Sequence, residues 1–287
     1  MRKQPMKKLL LNADDFGRDA KINAAIRDGV TRGVLRSASL MAGEPAFEDA
    51  VRVAKSLPEL EIGIHLTLVD GTPVLPAKEL PTLVPDGKGF YPSHREFVQA
   101  YFSGKVRREE IRRELEAQAG KILQTGLRVT HVDSHQHMHV LPGIFSIVLS
   151  LMREHSLQAL RIPKCSHPAH HLLSNGVGAA VGRLGLWTLA ALAGAKAKRE
   201  GYRFPHAFIG EIAGGAMTEN MLLGLLPQLE DGTTEIMIHP GYDNDYLEPI
   251  CHWEHDFEAE AAACASKKVK GEMEALHIGI SSFQFQS

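Results

Sequence analysis

The stretch KKLLLNADDFG, residues 7–17, runs from an aliphatic triplet straight into two adjacent acids. An apolar run bounded by polar and glycine signals reads as a buried strand, which puts Asp14 and Asp15 at its C-terminal tip. Tips of that sense are where α/β folds assemble their sites. Outward from this strand the alternation repeats. Asp19 caps a helix in which Ile22, Ile26 and Val30 recur every four residues. SASLMAG (37–43) reads as strand two, PAFEDAVRVAKSLP (45–58) as a helix begun by Pro45 near its first turn, and LEIGIHLTLV (60–69) as strand three. Strands four to eight follow as THVDSHQHMH (130–139), ALRIPK (159–164), HAFIGEI (206–212), TEIMIH (234–239) and HIGISSF (277–283). Residues 70–92, rich in Pro and Gly, form a long loop after strand three. The segment VRREEIRRELEAQAGKILQTG (106–126) is a helix with Ile111, Leu115 and Ile122 inward, Glu109 set to meet Arg113, and its charges on a solvated face.

No repeat or linker divides the chain, so residues 1–287 read as a single domain. The fold class is α/β: a TIM-like (βα) barrel of seven or eight parallel strands, regular or distorted and incomplete. An open doubly wound sheet uses the same alternation, but no G-x-G-x-x-G follows the first strand and no phosphate loop occurs. Nucleotide chemistry is thereby disfavoured.

A chain of 287 residues, 44% hydrophobic, can bury a large core. Its 32 basic and 34 acidic side chains leave a formal charge of -2, which gives no global attraction to nucleic acid or an anionic membrane. Cys165, Cys251 and Cys264 are far apart and suit a reducing cytoplasm better than a disulfide framework or thiolate zinc site. The basic N-terminus meets acids after three leucines, too short for a secretion signal. The apolar tract 176–200 is interrupted by Arg183 and glycines, so a packed or interfacial helix is expected and a transmembrane segment is not.

Fifteen histidines are many, and several fall on strand tips: His65 in GIH, His135 and His137 in DSHQHMH, His239 in MIH. Any one alone reads as a hydrogen-bonded packing residue. Converging with Asp15, they read as a metal centre, because a divalent ion needs a few deprotonated ligands and one open position. Asp15, His65 and His135 are the expected ligands. If strand four stays regular, Asp133, His135 and His137 share a face, and Asp133 can orient a ligating imidazole. The rival reading pairs His135 with His139 on one helix face.

Taken together, LLLNADDFG, EIGIHLTL, THVDSHQHMH, LRIPK and EIMIHPGYD resemble the YdjC-like carbohydrate deacetylases, the family of chitooligosaccharide deacetylase, over about residues 9–243. RFPHAFIGEIAGGAMTENMLLGLL (203–226) resembles the subgroup associated with hopanoid biosynthesis. The resemblance implies a barrel holding a divalent metal, Mg2+ or Zn2+, through Asp15, His65 and His135. It implies Asp14 as general base, with Arg161 and His239 completing the site, and His137 or His139 as substitutes in the ligand set. It also implies an N-acetylated amino sugar as substrate, free or carried on a hopanoid lipid, and a homodimer.

In that reading a metal-bound water is the nucleophile and Asp14 takes its proton. His239, with an ordinary imidazole pKa of about 6.5, protonates the leaving amine. Arg161 aims Asp14 through a two-pronged hydrogen bond. The apolar tract from Val177 to Ala193 would guide a lipid or touch a membrane surface, or else pack as a core helix. Competing readings are a metal-dependent phosphoesterase or other amidohydrolase, and a sugar-binding protein without catalysis.

Overall fold

Along β1 (Lys7–Phe16) successive side chains face opposite ways, and the two faces carry different chemistry. Leu9, Leu11 and Ala13 join the main apolar core, while Leu10 sits in a separate small cluster with Ala159 and Phe283. Asn12 and Asp14 follow Leu10 on that second side. The structure, a computed structural model, describes residues 7–164, 176–210 and 216–284. The remaining strands are β2 (Ser37–Leu40), β3 (Glu61–Leu66), β4 (Val129–Ser134), β5 (Ala207–Ile209), β6 (Gly232–Ile238) and β7 (Gly279–Ile280). All pair in parallel in the order β4-β3-β2-β1-β6-β5, and β7 joins the start of β1.

The two-sided pattern holds across this sheet. Ala38, Leu40, Ile62, Ile64, Val132, Ile236 and Ile238 belong to the main core. Between them Ser37, Ser39, His65, His131, Asp133 and Glu235 are buried on the other side, where Asn12 hydrogen-bonds Ser37 and Ser39, and Ser39 donates to Asp133. The sheet thus has an apolar outer face under its helices and a polar concave face, which is where the chemistry is stored.

The helices are α1 (Ala20–Arg32), α2 (Phe47–Ser56), α3 (His94–Phe102), α4 (Arg108–Gln124), α5 (Ile144–Glu154), α6 (Gly176–Arg199), α7 (Glu219–Leu225), α8 (Asn244–Cys251), α9 (Phe257–Cys264) and α10 (Lys267–Ala275). Asp19 caps α1 as expected, accepting from the Lys21 amide at 2.7 Å. Pro45 lies ahead of α2, whose N-cap is Ala46.

Of the expected forms the incomplete one is found: the described residues form a curled, all-parallel half-barrel of seven strands with β4 and β5 at its edges. Where strand five was expected, only isolated bridges form, Leu160 to Val132 and Ala159 to Arg203. Further along the two segments, Pro163 and Pro205 have no amide to extend that ladder. Strands two, three, six and eight are shorter than read, the eighth being reduced to Gly279–Ile280, and residues 211–212 of the sixth lie outside the described residues.

Strand four is also corrected. It stops at Ser134, and residues His135–Val140 make a 3-10 turn with Gln136 at φ 48° and His137 at φ 58°. Ser134 closes the turn by accepting the His139 amide at 2.9 Å. Asp133, His135 and His137 therefore do not share one strand face, and His135 and His139 are not a helical pair.

The face of α4 expected to be solvated is partly buried. Glu114 accepts the amides of Val74 and Leu75, Glu110 those of Thr82 and Leu83, and Gln118 bonds both the amide and carbonyl of Thr67. These side chains satisfy the backbone of the long loop that follows β3, which has no ladder of its own. Glu109 pairs with Arg112, and Arg113 pairs with Glu79.

No helix among the described residues is long and apolar enough to cross a membrane. Helix α6 packs Ala190, Ala193 and Ala197 inward and leaves Leu184 and Leu192 exposed. Cys251 and Cys264 are buried free thiols, and Cys165 lies outside the described residues.

Gly63 of β3 makes room for His131, since a Cβ there would lie 2.2 Å from the His131 Nε2. Gly63→Ala is expected to lose about 1–3 kcal/mol of stability through overpacking, measured by urea denaturation. A loss below the error of that measurement would mean that His131 moves freely.

Candidate metal centre and active site

Three strand ends and one loop deliver the site. At the end of β1 the register with β2 shifts between Ala13 and Phe16, and Asp15 adopts φ 60°. A bulge with a left-handed non-glycine residue separates the directions of two adjacent side chains that a regular strand would send to opposite faces. Asp14 and Asp15 can then serve one cleft.

Asp15 Oδ1 lies 3.4 Å from His65 Nε2 and 2.9 Å from His135 Nδ1. One ligand atom from each of the three residues lies within 4.8 Å of the others, and all three residues are buried. Asp133 accepts from His65 Nδ1 at 2.8 Å, which orients the ring so that Nε2 faces Asp15 and is the nitrogen a cation would take in place of its proton. That Nε2 and both Asp15 oxygens are buried without a hydrogen-bond partner. Buried polar atoms are rarely left so, and three converging on one point fit a cation.

The charges agree. Burial opposes a charge on His65, but Asp133 and Asp14 beside it push the imidazole up to about 10. Burial likewise opposes charge on Asp15, yet His135, His65 and Arg18 hold it well below the usual carboxylate range. A place that retains a proton so strongly is one that a divalent cation can take over.

Asp14 receives both prongs of Arg161, at 2.6 and 2.8 Å, and the Asn12 amide at 2.8 Å. Arg161 is fully buried and also meets Glu235 at 2.7 Å and Asp133 at 2.9 Å. Burial pushes Glu235 up to about 7. His239, just past β6, has its amide bonded to Glu260 and its ring 5.6 Å from that of His255. Burial holds His239 below the ordinary imidazole value. His239, His255 and Glu260 also form a compact cluster, whose carboxylate already accepts the His239 amide.

His137 and His139 stand apart from the three ligands. His139 accepts from Ser134 at Nδ1 and donates from Nε2 to the Arg161 carbonyl, at 2.6 and 3.0 Å, so both ring nitrogens are engaged in holding the turn. His137 packs edge-on against Phe208.

Sequence reading missed Arg18, Asp70, Glu235 and Glu260. Arg18 Nη1 is 3.3 Å from His135 Nε2, and its other nitrogen donates to Asp70 at 2.9 Å. Glu235 carried a signal, an acid within an otherwise uncharged strand, whereas Asp70 looked like any loop acid.

Burial lowers His131 to about 3 and His139 to about 4, so both stay neutral in the fold. The unfolded chain protonates them below about pH 6.5, so their stability contribution is complete above that value and is lost as pH falls toward 4 and then 3. Glu235 titrates in the same range with the opposite sign, so the expected result is relative: between pH 6.5 and 5 the urea midpoint of the wild type should fall against that of His131→Gln as pH decreases. An equal slope in the variant would exclude His131 as a cause.

The family described as YdjC-like protein matches residues 8–275. A carbohydrate deacetylase of Geobacillus stearothermophilus is 32% identical over 234 residues, covering 81% of this chain and 79% of that protein. One from Thermoanaerobacter pseudethanolicus is 30% identical over 264 residues, covering 92% and 93%. One from Brevibacillus brevis reaches 42% identity over 148 residues, 52% of this chain and 56% of that protein. Among solved structures, a protein of Enterococcus faecalis V583, provisionally described as a cellobiose-phosphate cleavage protein, has a TM-score of 0.74 at 26% identity, covering 97% of this chain and 98% of that one.

Proposed function

This chain belongs to the YdjC-like family and is a carbohydrate deacetylase, a hydrolase of amide bonds; we propose that it works with one divalent cation held by Asp15, His65 and His135 and removes the N-acetyl group of an acetylated amino sugar. The observation that carries this reading is the meeting of both Asp15 oxygens and His65 Nε2, buried and without hydrogen bonds, with His135 against them and a carboxylate clamped by Arg161 alongside.

A cation held by Asp15, His65 and His135 would supply Lewis-acid chemistry, acidifying a water and polarising the amide carbonyl. Asp14, held by Arg161 and Asn12, accepts the proton of the attacking water. Asp133 holds the His65 ring in the orientation that presents Nε2. His239, which burial keeps neutral at rest, would relay to the departing amine the proton that Asp14 takes from the water, so that the proton count closes. Glu260 fixes the backbone of His239 and pairs with His255. Two imidazoles and one carboxylate suit Zn2+ better than Mg2+, which prefers oxygen donors.

We place the substrate among N-acetylglucosamine compounds, either chitooligosaccharides or a glucosamine carried on a hopanoid lipid. The exposed Leu184 and Leu192 of α6 support the lipid-carried form. The test is acetate release from free and lipid-linked N-acetylated sugars, before and after chelation and re-addition of Zn2+ or Mg2+. Activity should vanish on chelation and return with the metal. Undiminished activity in chelator would remove the cation from the mechanism, and no acetate from any sugar would overturn the substrate class.

A further inference from the structure

We propose that Trp253 is a stacking platform for a sugar ring of the substrate, beside His239; this rests on the deacetylase reading above. The indole lies between two tethers. On one side His252 Nδ1 is 2.6 Å from Asp70, and the Ile250 carbonyl accepts from Arg18 at 3.1 Å, so residues 250–252 are tied to the two side chains that flank His135. On the other side His255 is 3.4 Å from the buried Glu260. The Trp253 ring stacks on His255 at 4.1 Å and 19° and meets His239 edge-on at 5.0 Å and 83°.

So firmly held a side chain would normally be buried, yet Trp253 is 38% exposed. Phe102 and Tyr246 are also exposed, but their ring contacts are with Tyr101 and Lys21 and not with a candidate site residue. A rigid aromatic face pays little ordering entropy on binding, and the C–H face of a pyranose is the apolar surface that complements it. A ring seated there lies next to the group that protonates the amine, so the platform would position the sugar rather than take part in bond breaking.

The chain has two tryptophans, so Trp187→Phe leaves Trp253 as the single fluorescent indole. Titrating that variant with N-acetylglucosamine and its trisaccharide should give a saturable change in emission. In steady-state assays Trp253→Ala should raise KM by about 3- to 10-fold with a much smaller change in kcat, and Trp253→Phe should restore most of the loss. An unresponsive indole together with unchanged KM in Trp253→Ala, in a protein that releases acetate, overturns the platform alone. A saturable response without acetate release supports the platform and overturns the deacetylase reading. Neither response nor acetate overturns both.

Discussion

Asp14→Asn is expected to lower acetate release by about 100- to 10,000-fold while metal content stays at the wild-type level. Asparagine keeps the shape and leaves one oxygen for Arg161, which bonds both carboxylate oxygens in the native protein at 2.6 and 2.8 Å. What it removes is the ability to take a proton. Asp15→Asn and His135→Ala should instead lose metal and activity together, because each supplies one of the converging ligand atoms. Elemental analysis and acetate kinetics on the same preparations separate the two patterns. Full activity in Asp14→Asn would reject it as the base, and loss of metal with it would make Asp14 part of the cation's seat.

The largest effect on stability is expected at Arg161. Its guanidinium touches Asp14, Asp133 and Glu235, all buried, so Arg161→Met leaves three acids without their shared counter-charge. Removing one partner of such a network costs about 3–5 kcal/mol. The sign of its pH dependence follows. Glu235 already holds its proton up to about 7 through burial, and without the arginine the folded state binds protons still more tightly than the unfolded chain. Stability of the variant should therefore fall as pH rises from about 4.5 through 7 and beyond, and partly recover in acid. Denaturant titrations at pH 5 and 8 test this, and adding Glu235→Gln should return part of the loss at pH 8. A cost under about 1 kcal/mol at pH 8 would show that the carboxylates find other partners.

Much of the site was legible because strand tips mark themselves. An aliphatic run ending in acids or histidines can be read locally, and Asp14, Asp15, His65, His135 and His239 carry that mark, whereas Arg161 came only from the family resemblance. The resemblance of five ordered motifs supplied the roles. What stayed hidden was conformational or long-range. Nothing local announces that Asp15 takes φ 60°, or that Ser134 ends its strand by capturing the His139 amide. Asp70 and His252 are 182 positions apart, and their pairing has no periodic signature. The acids of α4 were misread for a similar reason: a charged stripe looks solvated until a loop without its own ladder is laid against it. The break in the strand series was hidden too: at residues 159–164 alternation suggests a strand, but only isolated bridges form beside Pro163.

Of the described strands, the first to be synthesised is among the last to be completed. Along Lys7–Ala13 one side of β1 pairs with Gly232–Ile238, and near its start Lys8 and Leu9 also take Gly279 and Ile280. During synthesis, β1 to β4 can associate early, but a bare aliphatic edge must wait for more than two hundred further residues. The nascent chain is thus most vulnerable to mispairing in its N-terminal half, and chaperone dependence should track the time taken to translate the stretch leading to β6.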